Sequence, residues 1–247
     1  MLTSTSAALL VAGGFVSGVL NVIAGGGSFL TLPLLIFLGL PATEANATNR
    51  VAILTQNLGA LWSFQRHRVL EWHRAADMVV PALMGAAIGT WAALHVGDRE
   101  FRRVLAAVMV VVTLWTLLDP RTRGETPAAS RLGRNALRAA FFVVGLYGGF
   151  VQAGVGFLVL AVTTQAGLDL VRGNALKVLT ILLLTALSLA IFAGAGKVQW
   201  VPGLVLGAGS LLGSLVGARL TVRKGHGWIR GVVTVSVVAF ALALWLE

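Results

Sequence analysis

The chain has 247 residues, of which 57% are hydrophobic and only 11% charged, and its mean hydropathy is +0.88. So few polar residues cannot cover a water-soluble globule, so the composition predicts an integral membrane protein. The net charge of +10 does not indicate a nucleic-acid partner, because the basic residues lie in short connections between apolar runs, where we expect them to meet membrane lipid.

Eight long apolar runs follow one another along the chain, at 7–24, 51–64, 78–94, 104–118, 139–151, 178–195, 201–216 and 231–246. They are continuous rather than alternating, which favours membrane helices over barrel strands. Two shorter stretches, 29–40 and 155–168, follow glycine turns at 25–27 and 153–154. Twelve residues reach only about 18 Å as a helix, well short of the roughly 30 Å hydrocarbon core. We therefore expect an all-α membrane fold with short or broken helices after the glycine turns.

The two halves of the chain are related by a constant offset of 128 residues. At that offset Gly26 matches Gly154, Phe29 matches Phe157 and Asn46 matches Asn174. The register continues for about 75 residues, which indicates a tandem duplication. We divide the chain into a first membrane repeat at 1–118, a basic linker at 119–134 and a second membrane repeat at 135–247.

The distribution of basic residues predicts the topology. If the chain reverses at both glycine turns, each repeat has about five membrane segments, and fourteen Lys and Arg lie on one side against five on the other. The positive-inside rule then places the linker in the cytoplasm and both termini outside a multi-pass protein of the cell (inner) membrane. An odd number of segments also makes the second repeat inverted relative to the first. We expect no cleavable signal peptide, because no basic residue precedes the first apolar run.

The first polar motif surrounds the glycine turn of the first repeat and comprises Asn21, Gly26, Gly27, Ser28 and Thr31. Backbone N–H groups and the positive dipole end at the start of a short helix favour an anion. A tetrahedral oxyanion would fit such a site. The alternative is that the glycines only allow helices to pack closely.

The second polar motif occurs once in each repeat and pairs an amide with a cation. Asn46, Asn49 and Arg50 lie near the start of an apolar run, and Asn174 and Lys177 occupy the matching place in the second half. These side chains are candidates for hydrogen bonding and for balancing the charge of an anion. For the two cations, the alternative is that they extend to lipid headgroups at the membrane surface.

The glycine turn of the second repeat is less rich in polar residues. It offers Gln152 and Gly154 as candidate site residues, with Thr164 a weaker candidate because threonine in a membrane helix often bonds its own backbone. The asymmetry between the turns suits a single substrate bound between two related repeats.

These motifs resemble those of the TauE/SafE family of sulfite exporters. The resemblance rests on the stretch from Gly18 to Ser28, on Thr31-Leu-Pro33 and on Ala45-Asn-Ala-Thr-Asn49, and it covers nearly the whole chain. It implies a membrane transporter that exports small sulfur-containing anions such as sulfite, sulfoacetate or related sulfonates.

Both lines of reasoning predict an anion transporter that works by alternating access where the two repeats meet. At about 100 mV, each negative charge that leaves the cell gains roughly 2.3 kcal/mol, so export needs no coupling ion. A passive anion channel or an importer of a related organic anion remains an alternative. An enzyme is not expected, since there is no cysteine, the four histidines have no metal-ligand spacing, and no metal or cofactor is implied. The sequence leaves a homodimer open.

Overall fold

The computed structural model describes residues 3–23, 25–66, 72–118 and 132–246. In these ranges the chain forms nine α-helices: α1 Ser4–Ile23, α2 Ser28–Phe37, α3 Ala42–Arg66, α4 Trp72–His95, α5 Asp98–Leu118, α6 Arg134–Phe150, α7 Val155–Gln165, α8 Leu170–Gly194 and α9 Trp200–Leu246. The predicted all-α membrane fold is confirmed. Most of the predicted linker lies outside the described residues, and α6 already begins at its last residue, Arg134.

Among the described residues, four helical segments are long and apolar enough to cross a membrane. They are Ser4–Ile23 in α1, Ala75–His95 in α4, Val171–Gly194 in α8 and Trp200–Arg223 in α9. The helices α2 and α7 are apolar but have only 10 and 11 residues. A helix of that size reaches about 15 Å, half the hydrocarbon thickness. The predicted short helices after the glycine turns are therefore present.

Left-handed glycines bound the short helices in the same way in both halves. Gly39 and Gly167, which are 128 residues apart, have φ of +97° and +82° and follow the ends of α2 and α7. In each case the next leucine donates to a carbonyl five residues back: Leu40 N lies 3.2 Å from Leu35 O, and Leu168 N lies 3.1 Å from Thr163 O. Such a cap requires a positive φ, which glycine adopts without steric cost.

Helix boundaries repeat at the offset found in the sequence. Adding 128 to the bounds of Ala42–Arg66 gives those of Leu170–Gly194, and adding it to Trp72 gives Trp200. This agreement supports the predicted duplication. The inverted orientation of the second repeat in a membrane stays a prediction.

The end of the second repeat differs from the prediction. The sequence predicted separate segments at 201–216 and 231–246, whereas α9 continues without a break over 47 residues. At 1.5 Å per residue such a helix is about 70 Å long, more than twice the hydrocarbon thickness. The basic residues between the two apolar runs interrupt the hydropathy, but charged side chains do not end a helix.

Each repeat packs its first helix against a helix of the other repeat: α1 contacts α9, and α6 contacts α4. Small residues line both contacts and bring the backbones together, as is usual between membrane helices. A Cβ added at any of these glycines would meet backbone atoms of the facing helix: Gly14 and Gly18 on α1, Gly209 and Gly213 on α9, Gly85 and Gly89 on α4, and Gly145 and Gly149 on α6.

The matching helices α3 and α8 lie between these two pairs. They contact each other, and α3 also packs on α9 while α8 packs on α4. They carry the buried polar residues of the second motif, including Asn46, Arg50, Asn174 and Lys177. The fold therefore places the polar motif of each repeat inside the protein.

Candidate functional site

The two glycine turns meet at the centre of the molecule. Phe29 and Phe157, which match each other at the 128-residue offset, stack with ring centroids 6.2 Å apart. Gly25 touches the backbone of Gly156, and a Cβ on Gly154 would collide with the Phe29 ring. The sequence-predicted walls of the site are thus brought into direct contact with each other.

Arg50 and Asn46 bind the carbonyl end of α6. Asn46 Nδ2 donates to Phe150 O at 2.9 Å, and Arg50 Nη2 donates to Gly149 O at 2.6 Å and to Gly148 O at 3.2 Å. These carbonyls belong to the last turn of α6, where no further helical N–H is available to them. Side chains of the first repeat therefore supply hydrogen bonds that are missing at the C-terminal end of α6 in the second repeat.

Lys177 and Asn174 do the same for the carbonyl end of α1. Lys177 Nζ donates to Asn21 O at 2.9 Å and to Val22 O at 2.8 Å, and Asn174 Nδ2 donates to Ile23 O at 3.2 Å. Side chains of the second repeat therefore supply hydrogen bonds that are missing at the C-terminal end of α1 in the first repeat. The exchange is reciprocal, with one amide and one cation on each side.

Both cations are buried, so they do not extend to lipid headgroups. Arg50 is 0% exposed and Lys177 is 1% exposed. The negative end of a helix dipole favours a cation, which explains how each can be tolerated there. In the part of the chain that the structure describes, no aspartate or glutamate is buried. The oxygens that these two cations bind belong to neutral carbonyl and amide groups.

Gln152 links the second glycine turn to Arg50. Its Oε1 accepts from Arg50 Nη1 at 2.7 Å, and its Nε2 donates to Thr185 Oγ1. Its φ of +66° is a left-handed value, which a residue with a side chain adopts only at a cost. The two ends of the buried amide thus bind Arg50 on α3 and Thr185 on α8, which fixes the turn between these helices.

Three further groups around Arg50 were missed by sequence reasoning. The Thr90 hydroxyl lies 3.1 Å from Gly149 O and 2.7 Å from Ser188 Oγ, and its single proton is donated to one of these oxygens at a time. The Phe192 ring lies 4.9 Å from the Arg50 guanidinium carbon, close enough for a cation–π interaction. A signal was present: Thr185, Ser188 and Phe192 are spaced as one helix face, and Phe192 matches Phe64 at the repeat offset.

Several buried polar atoms of the site have no hydrogen-bond partner among the residues that the structure describes. They are Thr31 Oγ1, Asn46 Oδ1, Asn49 Oδ1, Asn174 Oδ1 and Arg50 Nε. For Asn46 and Asn174 the amide nitrogen must face the carbonyl that it binds, so the free atom is the oxygen. A buried polar atom without a partner costs about 1–3 kcal/mol, so these atoms are candidates for bonds to a ligand or to water.

The remaining residues of the first motif have structural roles at the turn. A Cβ on Gly27 would lie 2.6 Å from Ser17 Oγ and 2.7 Å from Asn21 Cβ, so Gly27 lets α2 approach α1. Gly26 O accepts from Phe29 N at 3.0 Å, and Ser28 is buried as the first residue of α2. Gly27 thus allows the close helix packing that was the alternative to a ligand site, and this packing does not exclude a ligand at the turn.

Thr164 does not contribute a free donor. Its hydroxyl donates to Leu160 O at 2.7 Å, within its own helix. That is the backbone-bonded alternative expected for a threonine in a membrane helix.

Comparisons with known proteins agree with the resemblance found in the sequence. The family model described as "Sulfite exporter TauE/SafE" matches residues 10–244. A probable membrane transporter protein of Haemophilus influenzae is 29% identical over 232 residues, which are 92% of this chain and 90% of that protein. The probable membrane transporter protein YfcA of Escherichia coli K12 is 30% identical over 231 residues, 93% of this chain and 86% of that protein.

A third relative, the probable membrane transporter protein ORF9 of Sinorhizobium, is 26% identical over 239 residues, which cover 96% of this chain and 91% of that protein. No solved structure gives a significant match. The descriptions of the family and of the relatives name membrane transport, and the helices have the length and apolar character of a multi-pass membrane protein. With a match that covers almost its full length, the chain belongs to the sulfite exporter TauE/SafE family of membrane transporters.

Proposed function

We propose that this protein exports small sulfur-containing oxyanions, such as sulfite or sulfonates, by alternating access between its two repeats. The observation that carries the proposal is the pair of buried cations, Arg50 and Lys177, whose oxygen partners are all neutral. A buried charge without a countercharge is costly, and an anion between the repeats would reduce that cost.

The helix dipoles do not cancel the charge of the two cations. Each helix C-terminus is equivalent to about half a negative charge, so the ends of α1 and α6 offset about one of the two positive charges. The N-termini of α2 and α7 follow the same glycine turns and contribute about half a positive charge each. The net field at the centre is therefore positive, which favours an anion of charge minus one or minus two.

Hydrogen-bond donors suited to an oxyanion lie among the same residues. Within the described ranges, Arg50 Nε is a buried donor without a hydrogen-bond partner, and so is the Thr31 hydroxyl, which lies in the first turn of α2. Oxygens of a tetrahedral or pyramidal anion can accept several such bonds at once. The choice of sulfur among the oxyanions comes from the family, which is named for sulfite export.

The direction of transport follows from the membrane potential. An anion leaving a cell that is negative inside gains roughly 2.3 kcal/mol per charge at 100 mV, so no coupling ion is needed. Broken helices at the meeting point of two repeats are typical of carriers in which one part moves against the other around a fixed site. We assign the role of the moving part to the two glycine turns together with α3 and α8.

The test is flux through the purified protein in liposomes. Vesicles loaded with sulfite are diluted into sulfite-free buffer under an imposed potential, and efflux is recorded against internal concentration. We expect saturable efflux that is faster when the lumen is negative, and counterflow, in which unlabelled sulfite outside accelerates exit of labelled sulfite. Flux without saturation or counterflow would indicate a channel.

Sulfoacetate, thiosulfate, sulfate and chloride are run in parallel to define the substrate. Flux of chloride equal to that of sulfite would remove the assignment to sulfur oxyanions while leaving an anion carrier. Absence of flux for all of these anions would contradict the proposal.

A further inference from the structure

A cavity of about 320 Å³ lies where three helix connections come together, and we call it the vestibule. It is formed by the start of α3, the connection between α4 and α5, and the connection between α8 and α9. Its lining includes Thr43, Glu44, Asp98, Phe192 and Lys197. None of its lining residues belongs to the two glycine turns.

The inner wall of the vestibule is Phe192, the same ring that lies against Arg50. Phe192 is 1% exposed, and the Arg50 guanidinium carbon is 4.9 Å from the centre of its ring. The same residue thus lines the cavity and contacts the buried cation. Ser188 and Thr185 lie one and two helical turns before Phe192 on α8, and their hydroxyls bind Thr90 and Gln152 respectively.

In the vestibule, the two carboxylates accept hydrogen bonds from described residues, whereas the amino group of its lysine binds none of them. Asp98 Oδ1 accepts from Thr43 N at 2.9 Å and from Thr43 Oγ1 at 3.2 Å, at the start of α3. Glu44 Oε2 accepts from Gln199 Nε2 at 3.1 Å. The Lys197 amino group makes no hydrogen bond or ion pair with the described residues. A cation free to meet an anion therefore lies at the mouth, and a second cation lies behind Phe192.

We propose that the vestibule is an access path to Arg50 and that Phe192 is the gate that closes it. Rotation of the ring away from Arg50 joins the cavity to the polar face of α8 and opens a route to the cation. The cation–π contact holds the ring in its closed position, and an anion that reaches Arg50 weakens this contact by neutralising the guanidinium. That last coupling rests on the proposed function, whereas the path and the gate do not.

The chain contains no cysteine, so single cysteines report access directly. Ser188 is 0% exposed and lies one helical turn from Phe192, on the side toward Gln152. Ser188→Cys is reacted with a water-soluble thiol reagent in two backgrounds: one that keeps Phe192 and one that carries Phe192→Ala. We expect Phe192→Ala to raise the reaction rate about tenfold or more, equivalent to about 1.4 kcal/mol in the opening equilibrium.

Three matched variants control for general loosening. Phe64 is the repeat counterpart of Phe192 and is also fully buried, so Phe64→Ala removes the same volume elsewhere and should leave the Ser188→Cys rate unchanged. Ala60→Cys, buried in the cluster around Phe64, should stay unreactive in the Phe192→Ala background. Lys197→Cys, at the mouth, should react fast in every background.

The Ser188→Cys reaction rate is also measured with Phe192→Leu. Leucine keeps most of the apolar volume, so this variant should fold even if Phe192→Ala does not. A rise in the Ser188→Cys rate with either variant supports the gate, even if no anion is transported. An unchanged rate in both folded variants overturns the proposal, and so does an equal rise caused by Phe64→Ala.

Discussion

The residues of the centre are held by bonds that cross from one repeat to the other. Asn46 and Arg50 bind the end of α6, and Asn174 and Lys177 bind the end of α1. Sequence reasoning identified all four, because buried amides and cations are rare in an apolar chain. It could not identify their partners, which are backbone carbonyls of the other repeat and depend on how the helices cross. Phe192 gave no polar signal and was missed.

At the residue scale, Thr31 separates a ligand role from a structural one. Its hydroxyl is buried and has no hydrogen-bond partner among the described residues. Thr31→Val removes this unsatisfied group and should leave the free energy of unfolding unchanged or raise it by about 1 kcal/mol. If the hydroxyl binds the anion, the same variant should raise the half-saturation concentration for sulfite about tenfold, because hydrogen bonds to charged groups are worth about 1.5–3 kcal/mol.

The control for Thr31 is Ser210→Ala on α9. Ser210 also has an unpaired buried hydroxyl, but it faces Gly14 and Gly18 of α1 rather than the glycine turns. We expect this variant, like Thr31→Val, to leave the free energy of unfolding unchanged or to raise it by about 1 kcal/mol, and to leave transport unaltered. Wild-type sulfite affinity in Thr31→Val would remove Thr31 from the site.

At the element scale, the molecule is built from helix pairs in contact along small residues. The sequence predicted the short helices α2 and α7 because glycines precede apolar stretches that are too short to span. It did not predict the single helix α9, since the basic stretch that includes Arg223 and Lys224 interrupts the hydropathy without supplying a residue that ends a helix. Hydropathy reports the surroundings of a segment, whereas helix ends depend on caps and turns.

The contact between α4 and α6 gives a prediction at this scale. A Cβ on Gly145 would run into the backbone of Ala82, so Gly145→Ala should destabilise the protein by about 1–3 kcal/mol. Gly194, at the end of α8, has open space around it, and Gly194→Ala should cause no loss and up to about 1 kcal/mol of gain. Thermal unfolding in detergent compares the two, and equal melting temperatures would contradict the close packing.

At the scale of the whole molecule, the charge count still favours one orientation after a correction. Arg50 and Lys177 were counted on opposite sides, yet both are buried in helices, so fourteen against five becomes thirteen against four. The bias is unchanged, and the linker is still expected in the cytoplasm.

Orientation is tested with single cysteines in intact cells. Thr5→Cys, exposed near the start of α1, should react with an impermeant thiol reagent added outside. Gly133→Cys, exposed next to the linker with open space around its Cα, should react only after the membrane is made permeable. The reverse pattern would invert the topology, and equal reactivity of both sites from outside would contradict an odd number of segments in the first repeat.

The central claim is that two buried cations, one from each repeat, bind the transported anion. Its most direct test is voltage-driven sulfite efflux from liposomes for the wild type, Arg50→Gln, Lys177→Gln and the double variant, each checked for folding. Glutamine keeps a donor for the helix-end carbonyls and removes the charge. We expect each single variant to lower saturable flux about tenfold or more, equivalent to about 1.4 kcal/mol, and the double variant to abolish it. Wild-type flux in a folded double variant would contradict the account.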